Sequence, residues 1–401
     1  MDITSQHTKI ITAINAAADL IFSISHQIHA QPEIAYQEFF ASGLLADALE
    51  SFGFQVERGI TGIPTAFRAS KGNPDGPRVA FLAEYDALPE LGHACGHNII
   101  AASALSAGIG LGAIVDDLPG QVLVIGTPAE ETSGAKVEMV KLGIFNDVNA
   151  ALMVHPFAGN YTLTEALALD AIQVEYFGAP AHASVAPWEG KNALDALVLL
   201  FTSLNALRQQ IKPDARIHGI ITHGGVAPNI IPEYTAGRFY LRARRRAYLN
   251  ELVEKFHACV QAAAAATGTR AETSHFESSF DDIVNNVTLA QRMTDYMSQS
   301  LGAGSFNTKP DSSGSTDMGD VSHVVPGAHL NIDITNGQKF LPHTREFCVA
   351  AASAYADQAI LRAGKGLALT GYDFLHDPEF RAAARAEFVD SLGCDCLTNG
   401  L

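Results

Sequence analysis

Apolar residues recur at helical spacing through KIITAINAAADLIFSISHQIHA (9–30) and FFASGLLADALESFGF (39–54), which predicts two helices, with Gly53 closing the second. The period then changes. Arg78 to Ala83 (RVAFLA) reads as an apolar strand, as do Gln121 to Gly126 (QVLVIG) and NAALMVHP (149–156), the last ended by Pro156. A helix from Asn98 and a short one in GAKVEMVKLGIF (134–145) lie between them. Near-continuous apolar strands alternating with helices predict a mostly parallel sheet covered on both faces.

From about Leu169 the order reads strand (169–178), helix (189–211), strand (216–223), strand (234–242), helix (247–267), strand (270–277). That is βαββαβ, the arrangement of a small ferredoxin-like domain. After SSFDDIVNN the earlier pattern resumes with a helix from Val287, a polar loop at DSSGSTDMGD, an apolar strand at HLNIDI and a long helical end. The expected α/β fold is therefore one domain of residues 1–167 and 283–401 interrupted by a second, 168–282; a length of 401 residues also favours two cores.

Polar residues gather where such a sheet binds ligands, beyond the carboxyl ends of its strands. Glu84 and Asp86 follow the first parallel strand, Glu130 and Glu131 the second, and His155 ends the third. Cys95 and His97 occupy the loop before the Asn98 helix, flanked by Gly92 and Gly96, which let backbone approach closely. A Cys-x-His pair can place sulfur and nitrogen on one ion or let a thiolate bridge two, and it can equally be inert packing. The adjacent carboxylates of TPAEETSG repel each other, so they require a cation, a raised pKa or a solvated turn.

Composition narrows the partners. The formal net charge of −17 argues against nucleic acid and anionic membranes. The run RARRR (Arg242 to Arg246) is the local exception and reads as a solvated or carboxylate-binding cluster. Five scattered cysteines and a first decapeptide without an apolar run point to a reducing cytoplasm. NIIAASALSAGIGLGAIV, rich in Gly, Ala and Ser, reads as a buried helix rather than a bilayer span. Cys394 and Cys396 read as part of a frayed C-terminal end.

EYDALPELGHACGHN, GTPAEE, MVHP, GAPAHAS, GGVAPNIIPE, GSTDMGDVS and LPHTREF occur in the order in which similar motifs occur in the M20 metallopeptidases, and HAQPEIAYQEF resembles that family's opening helix-loop. The branch it resembles holds aminoacylase-type amidohydrolases, aminobenzoyl-glutamate hydrolases and M20-domain dipeptidases. The resemblance implies a catalytic domain carrying two divalent ions, zinc first and manganese as the alternative, interrupted by a lid through which two chains form a homodimer. It implies Cys95 as a bridging thiolate, with His97, Glu131, His155 and His343 as further metal ligands. Glu130 falls at the general-base position and Asp86 at that of the acid orienting the site. His182 matches a histidine that polarises the scissile carbonyl in a partner subunit, and Asn229 and Arg242 match lid positions gripping a substrate carboxylate. Asp317 lies near the site by the same likeness, without a role. Asn98 stands where the family has Asp, and His93, His223 and His329 are left as structural or supporting residues.

The implied reaction is hydrolysis of an amide bond next to a free carboxylate in a dipeptide, an N-acyl amino acid or an aminobenzoyl-glutamate. Three alternatives stay open: a cysteine hydrolase using Cys95 with His97 or His155 as base, a silent binder of amino-acid conjugates, and an enzyme acting on a carbamoyl or succinyl amine.

Overall fold

The computed structural model describes residues 3–310 and 314–393. Its strands are β1 (Gln55–Arg58), β2 (Phe67–Gly72), β3 (Arg78–Ala83), β4 (Gln121–Gly126), β5 (Ala150–Phe157), β6 (Ala168–Phe177), β7 (Arg216–His223), β8 (Tyr234–Ala243), β9 (Arg270–His275) and β10 (Gly327–Asp333). Among the described residues they form one sheet of six, ordered β1-β2-β4-β3-β5-β10, and one of four, ordered β7-β8-β6-β9. Two compact units result. One runs to Glu165 and resumes at Ile283; the other is Ala166–Asp282.

In the first unit β4, β3, β5 and β10 are mutually parallel, so their carboxyl ends open on one edge of the sheet. Burial of every residue of β4 and nearly all of β3 explains their unbroken apolar character. β1 and β2 add an antiparallel flank that apolar patterning did not predict. Most of their residues are half-exposed or exposed, as at a sheet edge, so no apolar run marks them.

The helix His97–Gly112 covers the sheet with every residue buried, so its long apolar stretch is a core helix. Its glycines permit that packing: a Cβ on Gly108 would stand 2.6 Å from Val124 Cγ2, and one on Gly110 2.6 Å from Ile14 Cδ1. No single helix among the described residues is long and apolar enough to cross a membrane.

Two expectations need correction. The helix predicted over 9–30 is two, Ile3–Ala16 and Ala18–Ala30, bent by 52° at the break. The bend keeps Ile10 and Ile14 on one, and Ile21, Ile24 and Ile28 on the other, buried in the same core. Pro156 does not end β5, which runs on to Phe157. Past Leu152 the strand has parted from β3 and pairs with β10 alone, so the missing proline N–H is tolerated there.

In the second unit the chain order β6, helix Ala193–Leu207, β7, β8, helix Arg246–Thr267, β9 is βαββαβ, and its strands are all antiparallel. Asn192 caps the first helix by accepting from the N–H groups of Leu194 and Asp195. Leu197, Leu200, Phe239, Leu249, Leu252 and Phe256 fill the space between helices and sheet. The arginine run does bind carboxylates: Arg246 meets Asp170 and Asp281, and Arg245 meets Asp282. Cys394 and Cys396 lie outside the described residues.

Candidate metal centre

The parallel strands deliver the donors. β3 ends into Glu84 and Asp86, β4 into the turn carrying Glu130 and Glu131, and β5 contains His155. The Cys95 loop reaches the same place through Gly96, whose φ of +79° starts the helix His97–Gly112. A Cβ at Gly96 would lie 2.7 Å from Pro156 Cγ, so a side chain there would push the loop off the sheet. His343 comes from the segment after β10, and its backbone N–H donates to the Ala94 carbonyl at 2.9 Å. Ala129 and His343 both hold positive φ, 57° and 67°, a strained backbone that non-glycine residues keep chiefly at functional sites.

Cys95, His97 and His155 form one triad whose donor atoms lie within 4.8 Å of one another; Cys95, Glu131 and His343 form a second. Cys95 belongs to both. Its Sγ is 3.5 Å from His155 Nε2. His155 Nδ1 donates to the Pro156 carbonyl at 2.7 Å, which aims Nε2 at the thiol. His97 Nδ1 is 2.9 Å from Asp86 Oδ1, and the other Asp86 oxygen accepts the Glu131 N–H at 2.9 Å. His97 Nε2 is left without a hydrogen bond although the residue is fully buried. Glu84, Glu131 and Glu130 oxygens stand 3.5, 3.7 and 4.0 Å from it.

Such a cluster calls for positive charge. Burial, Glu84 and Glu131 push the Glu130 carboxyl well above the usual range. Burial and the Glu131 carboxylate likewise push the Cys95 thiol well up. Burial opposes a charge on His97, yet Asp86 and Cys95 outweigh it and hold that imidazole well above its ordinary pKa. Burial lowers the His155 imidazole below its ordinary pKa. The hydrogen bond to Glu131 raises His343. Thiol, imidazole and carboxylate donors around common points suit a borderline-soft divalent ion. A bare buried nitrogen held from behind by a carboxylate is how a ligating histidine is oriented.

Glu84 was visible at a strand end but had no assigned partner. It forms an ion pair with Lys136 Nζ at 2.7 Å, and Lys136 Nζ donates to Asp317 Oδ1 at 2.6 Å; all three are buried. Lys136 escaped prediction, although a lysine in the first turn of the helix Ala135–Lys141 opposes the helix dipole and so hints at an acidic partner. Glu38 was also missed; its Oε1 accepts the N–H of strained Ala129 at 2.9 Å. Asn98 does not orient His97. It donates to Ser25 Oγ and the Ala351 carbonyl. His93 and His329 are buried beside the cluster, stacked on His29 and tilted against His155, whereas His223 is exposed in the second unit.

The remaining predicted residues lie in the second unit. His182 is exposed and bridges Ile230, and the Ala183 N–H donates to the Asn229 carbonyl, so His182 and Asn229 are neighbours. Arg242 is elsewhere. It pairs with Leu169 at one end of β6, while the His182 loop leaves from the other end after Phe177. Those ends are separated by roughly 27 Å of strand at about 3.4 Å per residue.

A family model described as a peptidase dimerisation domain matches residues 169–268. Xaa-Arg dipeptidase of Mus musculus is 40% identical over 405 residues, spanning 96% of this chain and 93% of that protein. A p-aminobenzoyl-glutamate hydrolase polypeptide of Escherichia coli K12 is 35% identical over 303 residues, spanning 70% of this chain and 62% of that protein. A crystal structure from Bacillus subtilis, described as a dinuclear metal-binding peptidase of the M20 family, shares the fold with a TM-score of 0.65 at 20% identity, covering 86% of this chain and 98% of that one. With its sheet, inserted domain and donor cluster, and with relatives this similar over nearly its full length, the chain belongs to the M20 metallopeptidase family and is an amide-bond hydrolase.

Proposed function

We propose that the chain is a dinuclear metal-dependent dipeptidase that cleaves the amide bond next to a free carboxylate, acting first on dipeptides with a basic C-terminal residue. The observation that carries this is Cys95: it is common to two donor triads, beside an unpartnered His97 Nε2. One ion would rest on Cys95, His97 and His155, the other on Cys95, Glu131 and His343; zinc fits this donor set best. Two such ions, when bound, supply Lewis acidity and lower the pKa of the attacking water. Glu130 takes the water's proton and returns it to the leaving amine nitrogen, a role suited to a carboxyl raised well above its ordinary range. Asp86 keeps His97 and the Glu131 backbone in register.

His182, Asn229 and Arg242 act on substrate from the lid. His182 and Asn229 lie at the end of the lid sheet opposite Arg242, so one small substrate meets all three only when two chains contribute. Edge strand β7 exposes Ile220 (64%) and Ile221 (45%), and an apolar strand with a free edge supports a homodimer built by pairing it with a second copy. The acidic chain, at −17, favours cationic over acidic substrates, in line with the substrate in the mouse relative's name rather than aminobenzoyl-glutamate. Cys95 as nucleophile is the weaker reading, because burial first and the Glu131 carboxylate second suppress the thiolate that attack requires.

The test is a hydrolysis screen of dipeptides ending in arginine or lysine, neutral dipeptides, N-acyl amino acids and aminobenzoyl-glutamate, each with added zinc or manganese and after chelation. Metal-dependent release of arginine ahead of the others is expected. Release untouched by chelation refutes the metal reading, and preference for aminobenzoyl-glutamate refutes the substrate.

A further inference from the structure

Beside the two triads lies a further group of donors, of which the proposed chemistry uses Glu130 alone. Oxygens of Glu84, Glu130 and Asp317 lie within 4.8 Å of one another, and all three residues are buried. Three carboxylates so close would by themselves gather a cation. One is already there. Lys136 Nζ forms an ion pair with Glu84 Oε1 at 2.7 Å and donates to Asp317 Oδ1 at 2.6 Å, and the Lys136 backbone N–H donates to the second Asp317 oxygen at 3.0 Å. The lysine is fully buried and sits in the first turn of its helix, where the backbone dipole opposes its charge. Nothing about local helix formation asks for it; the carboxylates do.

We propose that the Lys136 ammonium is the resident cation of the Glu84–Glu130–Asp317 pocket, and that by filling it Lys136 excludes a divalent ion there and confines metal to the triads that share Cys95. This rests on the metal reading above. Lys136 acts as a positioning residue. It holds Asp317 by a hydrogen bond and Glu84 by an ion pair, and of the three carboxylates Glu130 lies outside its ion-pair range. A compact ammonium can replace a metal ion electrostatically while offering no open coordination position to water. With the pocket so filled, hydrolytic chemistry stays at the Cys95 side of Glu130. Were an ion to enter, Glu130 would become its ligand and lose the freedom to move a proton.

The experiment measures metal equivalents, not turnover. Wild type and Lys136→Met are loaded with manganese, freed of excess ion by gel filtration and assayed by mass spectrometry of the metal. Lys136→Met is expected to hold one equivalent more than wild type, and Lys136→Met/Glu84→Gln/Asp317→Asn none more. Equal stoichiometry in wild type and a folded Lys136→Met overturns the proposal. Should Lys136→Met not accumulate as folded protein, Lys136→Met/Asp317→Asn strands less charge and is expected to show the same additional equivalent, because Glu84 and Glu130 remain. Manganese located by anomalous scattering in wild-type crystals gives a reading independent of any variant: an ion among Glu84, Glu130 and Asp317 overturns the proposal. Wild type holding no ion at all would instead defeat the metal reading on which this rests.

Discussion

Asp86 holds His97 from behind: Oδ1 lies 2.9 Å from Nδ1, which fixes the tautomer and turns a bare Nε2 toward the carboxylates of Glu84, Glu131 and Glu130. Partners of this kind typically contribute 10–100-fold to metal affinity. Asp86→Asn is therefore expected to weaken the first ion by about that factor, with much of kcat recovered at saturating metal. Competition against a fluorescent chelator measures the affinity. Unchanged affinity would mean that Asp86 serves the fold and not the ligand.

Cys95 and Glu130 separate metal holding from proton transfer. Cys95→Ser is expected to lose metal together with activity, since both triads depend on that sulfur. Glu130→Gln is expected to keep its metal and to lose about 10²–10⁴ in kcat, the usual contribution of a positioned base. The acid limb of the pH–rate profile should vanish with it, because Glu130 works only when ionised. Metal content and steady-state kinetics on the same preparations decide between the roles. Full metal content in Cys95→Ser refutes bridging, and near-normal turnover in Glu130→Gln refutes the base.

Glu38 makes a prediction about stability. Burial raises its carboxyl from 4.5 to about 7, although Oε1 accepts the Ala129 N–H at 2.9 Å. A carboxyl whose folded pKa lies above its unfolded one binds more protons in the native state. Between about 4.5 and 7 the unfolded chain is ionised while native Glu38 stays neutral, so native stability falls as pH rises through that window and levels off above it. The displacement corresponds to something on the order of 3 kcal/mol. Glu38→Gln removes the ionisable group, and its amide oxygen can still accept from Ala129. Denaturation midpoints of the two proteins should diverge in favour of Glu38→Gln from pH 5 to pH 8; parallel curves would show that Glu38 does not carry the effect.

How far the sequence foretold these features follows from the range of the forces involved. β3, β4 and β7 lie where their apolar or alternating patterns put them, and the carboxylates at the strand ends converge because parallel strands open on one edge. The flank β1–β2 escaped because an exposed edge needs no apolar face. The break at Ala17 escaped because the apolar seam runs through it without interruption. Lys136 and Asp317 meet across 181 positions of chain, and no local pattern announces a contact of that span. The placement of Asn229 and Arg242 at opposite ends of one sheet likewise depends on strand register, which motif order does not encode.

That placement leads to a test of the assembly. If His182 of one chain serves the Glu130 of another, each site draws on two chains, and defects on different chains complement. His182→Ala and Glu130→Gln homodimers should each be nearly inactive. Unfolded and refolded together in equal amounts, they form hybrids in half of the dimers, and one of the two sites in each hybrid is intact. Activity should then recover to roughly a quarter of wild type. Charged substitution of the exposed edge, Ile220→Asp with Ile221→Asp, is expected to yield monomers by light scattering and to abolish this recovery, since isolated lids cannot exchange His182. A mixture that stays inactive while forming stable dimers would assign His182 to its own chain's lid surface and leave the carbonyl to the metals alone.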